Sequence, residues 1–258
     1  DLKDFGQSLV AVSSFSSNIL FWIESGYFET EAEFKPLLHT WSLAIEEQFY
    51  ILYPIFLYFA WRLNFRKIIF ALVLIFFISL LLAEWAAYFK PSANFYLLPT
   101  RGWELLLGAF TAFYLRYNDF FKNTLLNQIL SILGFGMIVY SIIVYDSSTP
   151  FPSFYALVPT LGTCLLIIFL VPKTILYKFF TLKPIVGIGL ISYGIYLWHQ
   201  PLLAFSRYMF FENLTEVMLI GICILSILIA WLTWRYVETP FRDKNKFSRA
   251  AIFKFTAL

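Results

Sequence analysis

The chain has 258 residues, 60% of them hydrophobic and 14% charged, with a formal net charge of +3, whereas soluble domains run at about 45–50% apolar and about 25% charged. That composition excludes a water-soluble globule, and no Lys/Arg run resembles a nucleic-acid footprint. With two histidines, a multi-histidine metal site is excluded, and Cys164 and Cys223, each mid-way along an apolar stretch, read as buried inert thiols.

A helix rises about 1.5 Å per residue, so a hydrocarbon core of about 30 Å takes about 20 largely apolar residues to cross. The first candidate, residues 8–23, is short and rich in Ser8, Ser13, Ser14, Ser16, Ser17 and Asn18. It reads as a re-entrant or interfacial helix, with a full span as the alternative. Seven stretches follow that meet the length, at 41–61, 67–88, 96–116, 125–145, 154–171, 185–206 and 214–235. Their apolar runs are continuous rather than alternating, so they are helices and not barrel strands. Trp85, Tyr88, Tyr145 and Trp234 sit near their ends like an interfacial belt. The fold expected is all-α, a polytopic transmembrane helical bundle forming one membrane domain over residues 1–258.

Four segments place polar groups where lipid should be, at about 2.5–3.5 kcal/mol for each ionisable side chain. In Pro36–Pro54, helical spacing puts His39, Ser42 and Glu46 on one face, with Glu46 about 8 Å below the outer boundary. Acidic dressing of a helix N-terminus is the structural alternative. In Leu97–Phe110, Arg101, Glu104 and Gly108 share a face. The pair is either a self-satisfied ion pair or a guanidinium fork for a carboxylate, phosphate or developing oxyanion. In Gly189–Leu202, Ser192, Tyr196 and His199 line one face, and Pro201 marks a kink or the end of regular helix; helix-stitching is the alternative. In Trp234–Arg242, Glu238 and Pro240 could simply end the helix, with Glu238 paired to Arg235 or Arg242.

Loop charge fixes the orientation. Arg62, Arg66 and Lys67, Arg116 and Lys122, Lys173, Lys178 and Lys183, and the basic tail from Arg235 to Lys254 place 14 of the 19 basic residues on one side, which is therefore cytoplasmic. The acidic loop with Glu24, Glu29, Glu31 and Glu33 is external. Under this topology Glu46, Arg101, Glu104 and His199 all fall within roughly 10 Å of the outer boundary. A shared polar cavity open to the outer leaflet is the expectation. The sequence begins at Asp1 without methionine and ends within a new apolar segment at Ala250–Leu258, so an excerpt of a longer protein is expected.

Taken together, PLLHTWSLAIEEQFY, TRGWELLLGAF, ISYGIYLWHQPL and ETPFR, in that order, resemble the acyltransferase-3 family of bacterial membrane acyltransferases. The closest likeness is to the branch that O-acetylates lipopolysaccharide O-antigen and related surface glycans. The resemblance implies about eleven spans in the bacterial inner membrane and a fused external SGNH-type hydrolase-like domain, with the 249–258 segment as the last span. It also implies a catalytic histidine on a first span and an Arg-x-x-Arg pair before the third, both upstream of Asp1, and His39 and His199 are not promoted into that role. Positions carried over are His39, Trp41, Ser42, Glu46, Tyr50 and Pro54; Arg101 and Glu104; Ser192, Tyr193, Tyr196, His199 and Pro201; and Glu238 and Pro240.

The function this implies is transfer of an acyl group, expected to be acetyl from cytoplasmic acetyl-CoA, to a glycan hydroxyl outside, with no bound cofactor or metal. Glu46 would tune the upstream histidine, and Arg101 held by Glu104 would stabilise negative charge. Tyr196 and His199 would line the acceptor side. Glu46, Arg101, Glu104 and His199 are thus the catalytic candidates. His39, Trp41, Ser42, Tyr50, Ser192, Tyr193 and Tyr196 are the substrate-binding ones, and Pro54, Pro201, Glu238 and Pro240 the structural ones. The rivals are a secondary transporter, which predicts internal repeats that are not evident, and an acyl shuttle serving the external domain.

Overall fold

The computed structural model describes residues 2–25, 34–117, 123–210 and 214–242. The acidic residues Glu29, Glu31 and Glu33, the basic residues Lys122, Lys244, Lys246, Arg249 and Lys254, and the apolar segment 250–258 lie outside the described residues. The chain is all-α, with no strand among the described residues. The helices are α1 (Leu2–Ser13), α2 (Ser17–Ser25), α3 (Thr40–Ala60), α4 (Phe65–Phe89), α5 (Pro91–Tyr96) and α6 (Leu98–Tyr117). They continue as α7 (Thr124–Val144), α8 (Leu157–Phe169), α9 (Ile175–Phe180), α10 (Lys183–Phe210), α11 (Glu216–Thr233) and α12 (Thr239–Arg242). Six of the seven expected spans correspond to the long helices α3, α4, α6, α7, α10 and α11, whereas at 154–171 a short 3-10 turn (Phe154–Ala156) leads into α8, a helix of only 13 residues. Among the described residues three segments, Phe65–Phe89, Thr124–Val144 and Glu216–Arg242, are long and apolar enough to cross a membrane by length and composition alone.

Prolines do not end helices where the sequence suggests. Pro201 lies inside α10, which runs on to Phe210. After α11 the chain widens into a π-helical turn at Trp234–Glu238, where the Thr239 N–H reaches the Trp234 carbonyl, and helix resumes as α12. A wider turn accommodates Pro240, which has no N–H to give and whose ring would crowd the carbonyl four residues back. Glu238 forms an ion pair with Arg242 at 3.4 Å, so its partner is Arg242 and the helix does not stop at it. The expected span at 96–116 is also interrupted. Leu97 is extended (φ −102°, ψ 141°), and Pro91 begins α5 as a separate short helix. The Thr100 hydroxyl donates to the carbonyls of Asn94 and Leu97, filling acceptors that the break would leave open.

Packing divides the chain into two compact units, one holding residues 182–258 with 30–39 and 1–5, the other residues 6–29 and 40–181. In the larger unit, α4 turns Ser79, Leu80, Ala83 and Ala86 inward and leaves Phe70, Leu74, Phe77 and Leu81 exposed. Small residues at the contact let α4 and α6 approach closely, while large apolar ones face outward as lipid requires. Ser79 joins the two helices: its hydroxyl donates to the Pro99 carbonyl at 2.6 Å and accepts from the Trp103 N–H at 3.1 Å. Trp103, fully buried, packs with Leu80, Ala83 and Ala156. Between α1 and α2 the chain breaks, with Phe15 left-handed at φ 54°. Gln48 of α3 donates to the Phe15 carbonyl and to Asn18 Oδ1, both at 2.8 Å. Asn18 in turn donates to the Tyr96 carbonyl at 3.0 Å, so the serine-rich segment is tied to α3 and α5.

α7 and α8 meet backbone to backbone. A Cβ on Gly134 would lie 2.6 Å from the Gly162 carbonyl oxygen and 2.8 Å from Leu165 Cβ, whereas one on Gly136 would meet nothing within 4 Å. Gly134→Ala should therefore lower the thermal unfolding temperature of the detergent-solubilised protein, since overpacking costs about 1–3 kcal/mol. Gly136→Ala should leave it unchanged or raise it, because alanine is favoured over glycine in a helix by about 1 kcal/mol. Equal temperatures for the two variants would contradict this contact.

Candidate active site

In the larger unit the site grows from the start of α6. The break at Leu97 and the Thr100 hydrogen bonds set the first turn of α6, and Asn94 of α5 donates to the Pro152 carbonyl at 2.6 Å. That bond draws the 145–156 loop over the helix end. Within the loop, Asp146 accepts from the Ser148 hydroxyl at 2.6 Å and from its backbone N–H at 2.9 Å. These bonds hold the Asp146 carboxyl below the usual carboxylate range. Glu84 of α4 accepts from the Phe154 N–H at 2.8 Å and anchors the far end of the loop.

The residue so framed is Arg101, buried at 6% exposure. Its guanidinium carbon lies 5.0 Å from the Trp41 ring centroid, 5.4 Å from that of Phe95 and 4.8 Å from that of Phe151. Three quadrupolar ring faces offset the cost of desolvating the cation. Nη1 also donates to Glu104 Oε1 at 2.7 Å. A buried guanidinium held by a carboxylate on one side and rings on the others is fixed in direction before any ligand arrives. That is the condition for an electrostatic contribution to a reaction.

Arg101 and Glu104 of α6, with Ser42 and Glu46 of α3, border a cavity of about 90 Å³. Trp41, Ile45 and Leu105 complete its wall. Glu46 is exposed and Ser42 half-buried, so the cavity carries a carboxylate and a hydroxyl opposite a fixed cation. Tyr50, one turn further along α3 from Glu46, is 56% exposed. Pro54 lies inside α3, which continues to Ala60.

His39 departs from the expected helical face. Helix α3 begins at Thr40 and residues 36–39 form turns, so His39 is not in register with Ser42 and Glu46. It belongs to the smaller unit, where its ring centroid is 5.0 Å from Tyr196 and 5.3 Å from His199. The Tyr196 hydroxyl donates to the His39 carbonyl oxygen. Gln200 donates to the Lys35 carbonyl at 3.2 Å and Phe34 packs on Tyr208, pinning residues 34–39 to α10. Burial, and after it the neighbouring His199, bring the His39 imidazole down to about 4, against a hydrogen bond at the Pro36 backbone that raises it. His39 is therefore neutral at physiological pH. His199 Nδ1 lies 2.6 Å from the Tyr196 carbonyl, which as an acceptor fixes the proton on Nδ1.

The remaining residues of this segment point elsewhere. Ser192 is exposed and donates to the Gly189 carbonyl of its own helix at 2.9 Å. Tyr193 is 49% exposed. The structure thus gathers Glu46, Arg101, Glu104, Trp41 and Ser42 in one unit, and His39, Tyr196 and His199 in the other. Among the described residues no group of three or more His, Cys, Asp or Glu could hold a metal ion. Phe95 and Phe151, which cage Arg101, were not singled out from the sequence. Aromatic residues near a span end look alike whether they anchor in the interface or stack on a cation.

A family profile described as an acyltransferase domain, acyltransferase-3, matches residues 5–235. The O-acetyltransferase OatA of Staphylococcus aureus (strain NCTC 8325 / PS 47) is 32% identical over 225 residues, covering 82% of this chain and 37% of that protein. The peptidoglycan O-acetyltransferase OatA of Listeria monocytogenes is 32% identical over 271 residues, covering 95% of this chain and 42% of that protein. The chain thus spans about two fifths of the length of these curated relatives. No solved structure matches it.

Proposed function

The chain belongs to the acyltransferase-3 family, and from that premise we propose that the full-length protein is an O-acetyltransferase of the bacterial inner membrane that modifies a cell-surface glycan. The observation that carries this reading is the Arg101 cage: a pre-oriented, partly desolvated cation on the wall of a small cavity that also holds Glu46. The donor in this reading is acetyl-CoA from the cytoplasm. A sugar hydroxyl attacks the thioester carbonyl carbon, a new C–O bond forms, the C–S bond breaks, and the thiolate leaves as coenzyme A.

Arg101 stabilises the negative charge that develops on the carbonyl oxygen, and Glu104 keeps the guanidinium aimed. The hydroxyl proton goes to a histidine of the family's first span, which Glu46 orients and makes more basic. In the smaller unit, the ring faces and hydrogen-bonding groups of His39, Tyr196 and His199 are of the kind that bind a sugar. The relative named for peptidoglycan favours that polymer over lipopolysaccharide O-antigen as the acceptor. The extra length of the relatives leaves room for the SGNH-type external domain as a fused partner.

The test is acetyl transfer by the purified full-length protein in proteoliposomes, with labelled acetyl-CoA on the cytoplasmic side and peptidoglycan strands or O-antigen outside. Ester-linked label on peptidoglycan supports the whole reading. Label on O-antigen alone would redirect the acceptor. No label on any glycan would remove the acyltransferase assignment.

A further inference from the structure

We propose that an apolar wall built by Ile45 and Leu105 limits the transferred acyl group to two carbons. The proposal rests on the reading that the donor thioester sits at Arg101, and it adds which side chains choose the donor.

Two cavities lie along the contact of α3 with α6 in the larger unit. The polar one, about 90 Å³, is bordered by Arg101, Glu104 and Glu46, and Ile45 and Leu105 form its aliphatic wall. The other, about 250 Å³ and almost wholly apolar, is bordered by Phe49 and Phe56 of α3, Leu72 of α4, and Gly102 and Leu106 of α6. Along α3 the lining residues Ser42, Ile45, Phe49 and Phe56 follow offsets of three, seven and fourteen, so both cavities open onto one face of that helix. On α6 the lining passes from Arg101 and Leu105 to their neighbours Gly102 and Leu106. On α3 the lining of one cavity thus gives way to that of the other within one turn, between Ile45 and Phe49, while on α6 it shifts to the adjacent helix face. Ile45 is buried at 4% exposure and Leu105 is half-buried.

Volume decides what the polar cavity takes. An apolar cavity of about 150 Å³ admits a six-carbon ring. One of about 90 Å³ has room for about three or four heavy atoms, which is the carbonyl carbon, oxygen and methyl of an acetyl group. A propionyl group adds one methylene and presses on the wall. A butyryl group adds two and must displace Ile45 or Leu105. Trimming Ile45 or Leu105 should therefore enlarge the polar cavity on its aliphatic side.

The experiment offers the full-length protein equal acetyl-CoA, propionyl-CoA and butyryl-CoA in competition, with peptidoglycan strands as acceptor, and reads ester products by mass. The wild-type protein should favour acetyl over butyryl by at least about 100-fold, since each unaccommodated methylene counts for about 10–200-fold. Ile45→Ala and Leu105→Ala should each raise the butyryl-to-acetyl ratio by at least about tenfold. A wild-type protein that transfers butyryl as readily as acetyl overturns the proposal, as do alanine variants with unchanged ratios; either result leaves the acyltransferase reading standing. Transfer of no acyl group by the wild-type protein removes both. If an alanine variant fails to accumulate in the membrane, Ile45→Val replaces it. That variant must raise the propionyl-to-acetyl ratio, and an unchanged ratio counts against the proposal.

Discussion

Arg101→Ala in the full-length protein should lower glycan acetylation, per folded molecule, by at least about 100-fold, because losing one pre-oriented oxyanion donor costs about 10²–10³ in rate. The structure gives the reason for so large an effect. The guanidinium is held on one side by Glu104 at 2.7 Å and lies about 5 Å from three ring centroids, so no side-chain ordering remains to be done during the reaction. The variant also leaves Glu104 without its ion-pair partner in a poorly solvated place, which destabilises the fold. Normalising to folded protein, measured by size-exclusion chromatography of detergent extracts, separates the two effects. Arg101→Lys discriminates further. It keeps the charge but loses the planar fork and the ring stacking, and should recover only a small part of the rate. Full activity in the lysine variant would mean that the cage serves packing alone.

Glu46→Gln is the second large effect. The two side chains have nearly the same shape, and Glu46 is exposed at the cavity rather than packed in the core. Membrane insertion and unfolding temperature should therefore be unchanged. Acetyl transfer should fall by at least about 100-fold, within the range of about 10²–10⁴ for general acid–base catalysis. An amide can neither raise the basicity of a histidine nor stabilise its protonated form. If Glu46→Gln acetylates glycan at the wild-type rate, Glu46 leaves the mechanism and its place at the end of α3 is a matter of solubility.

Span positions were legible from hydropathy because the bilayer imposes one length on every crossing, and α4, α7 and α11 match their expected ranges to within a few residues. Interruptions were not legible. The break at Leu97 and the π-helical turn before Pro240 depend on which carbonyls a nearby hydroxyl or N–H can reach. The Arg101–Glu104 pair was legible from its spacing alone, since residues three apart on a helix are neighbours. His39 was misplaced on the Glu46 face because spacing presumes an unbroken helix, and α3 starts one residue later. The aromatic cage could not be foreseen, since Trp41, Phe95 and Phe151 are far apart in sequence and each suits a membrane interface equally well.

Those three rings come from α3, from α5 and from the loop ahead of α8, segments the ribosome delivers at well-separated times. Arg101 therefore gains its final surroundings only after the last of them has docked. A chain made only as far as α7 already carries Arg101 with Glu104, Trp41 and Phe95, and lacks the Phe151 face of the enclosure. The enclosure is thus completed from the 145–156 loop, about fifty residues after the arginine itself.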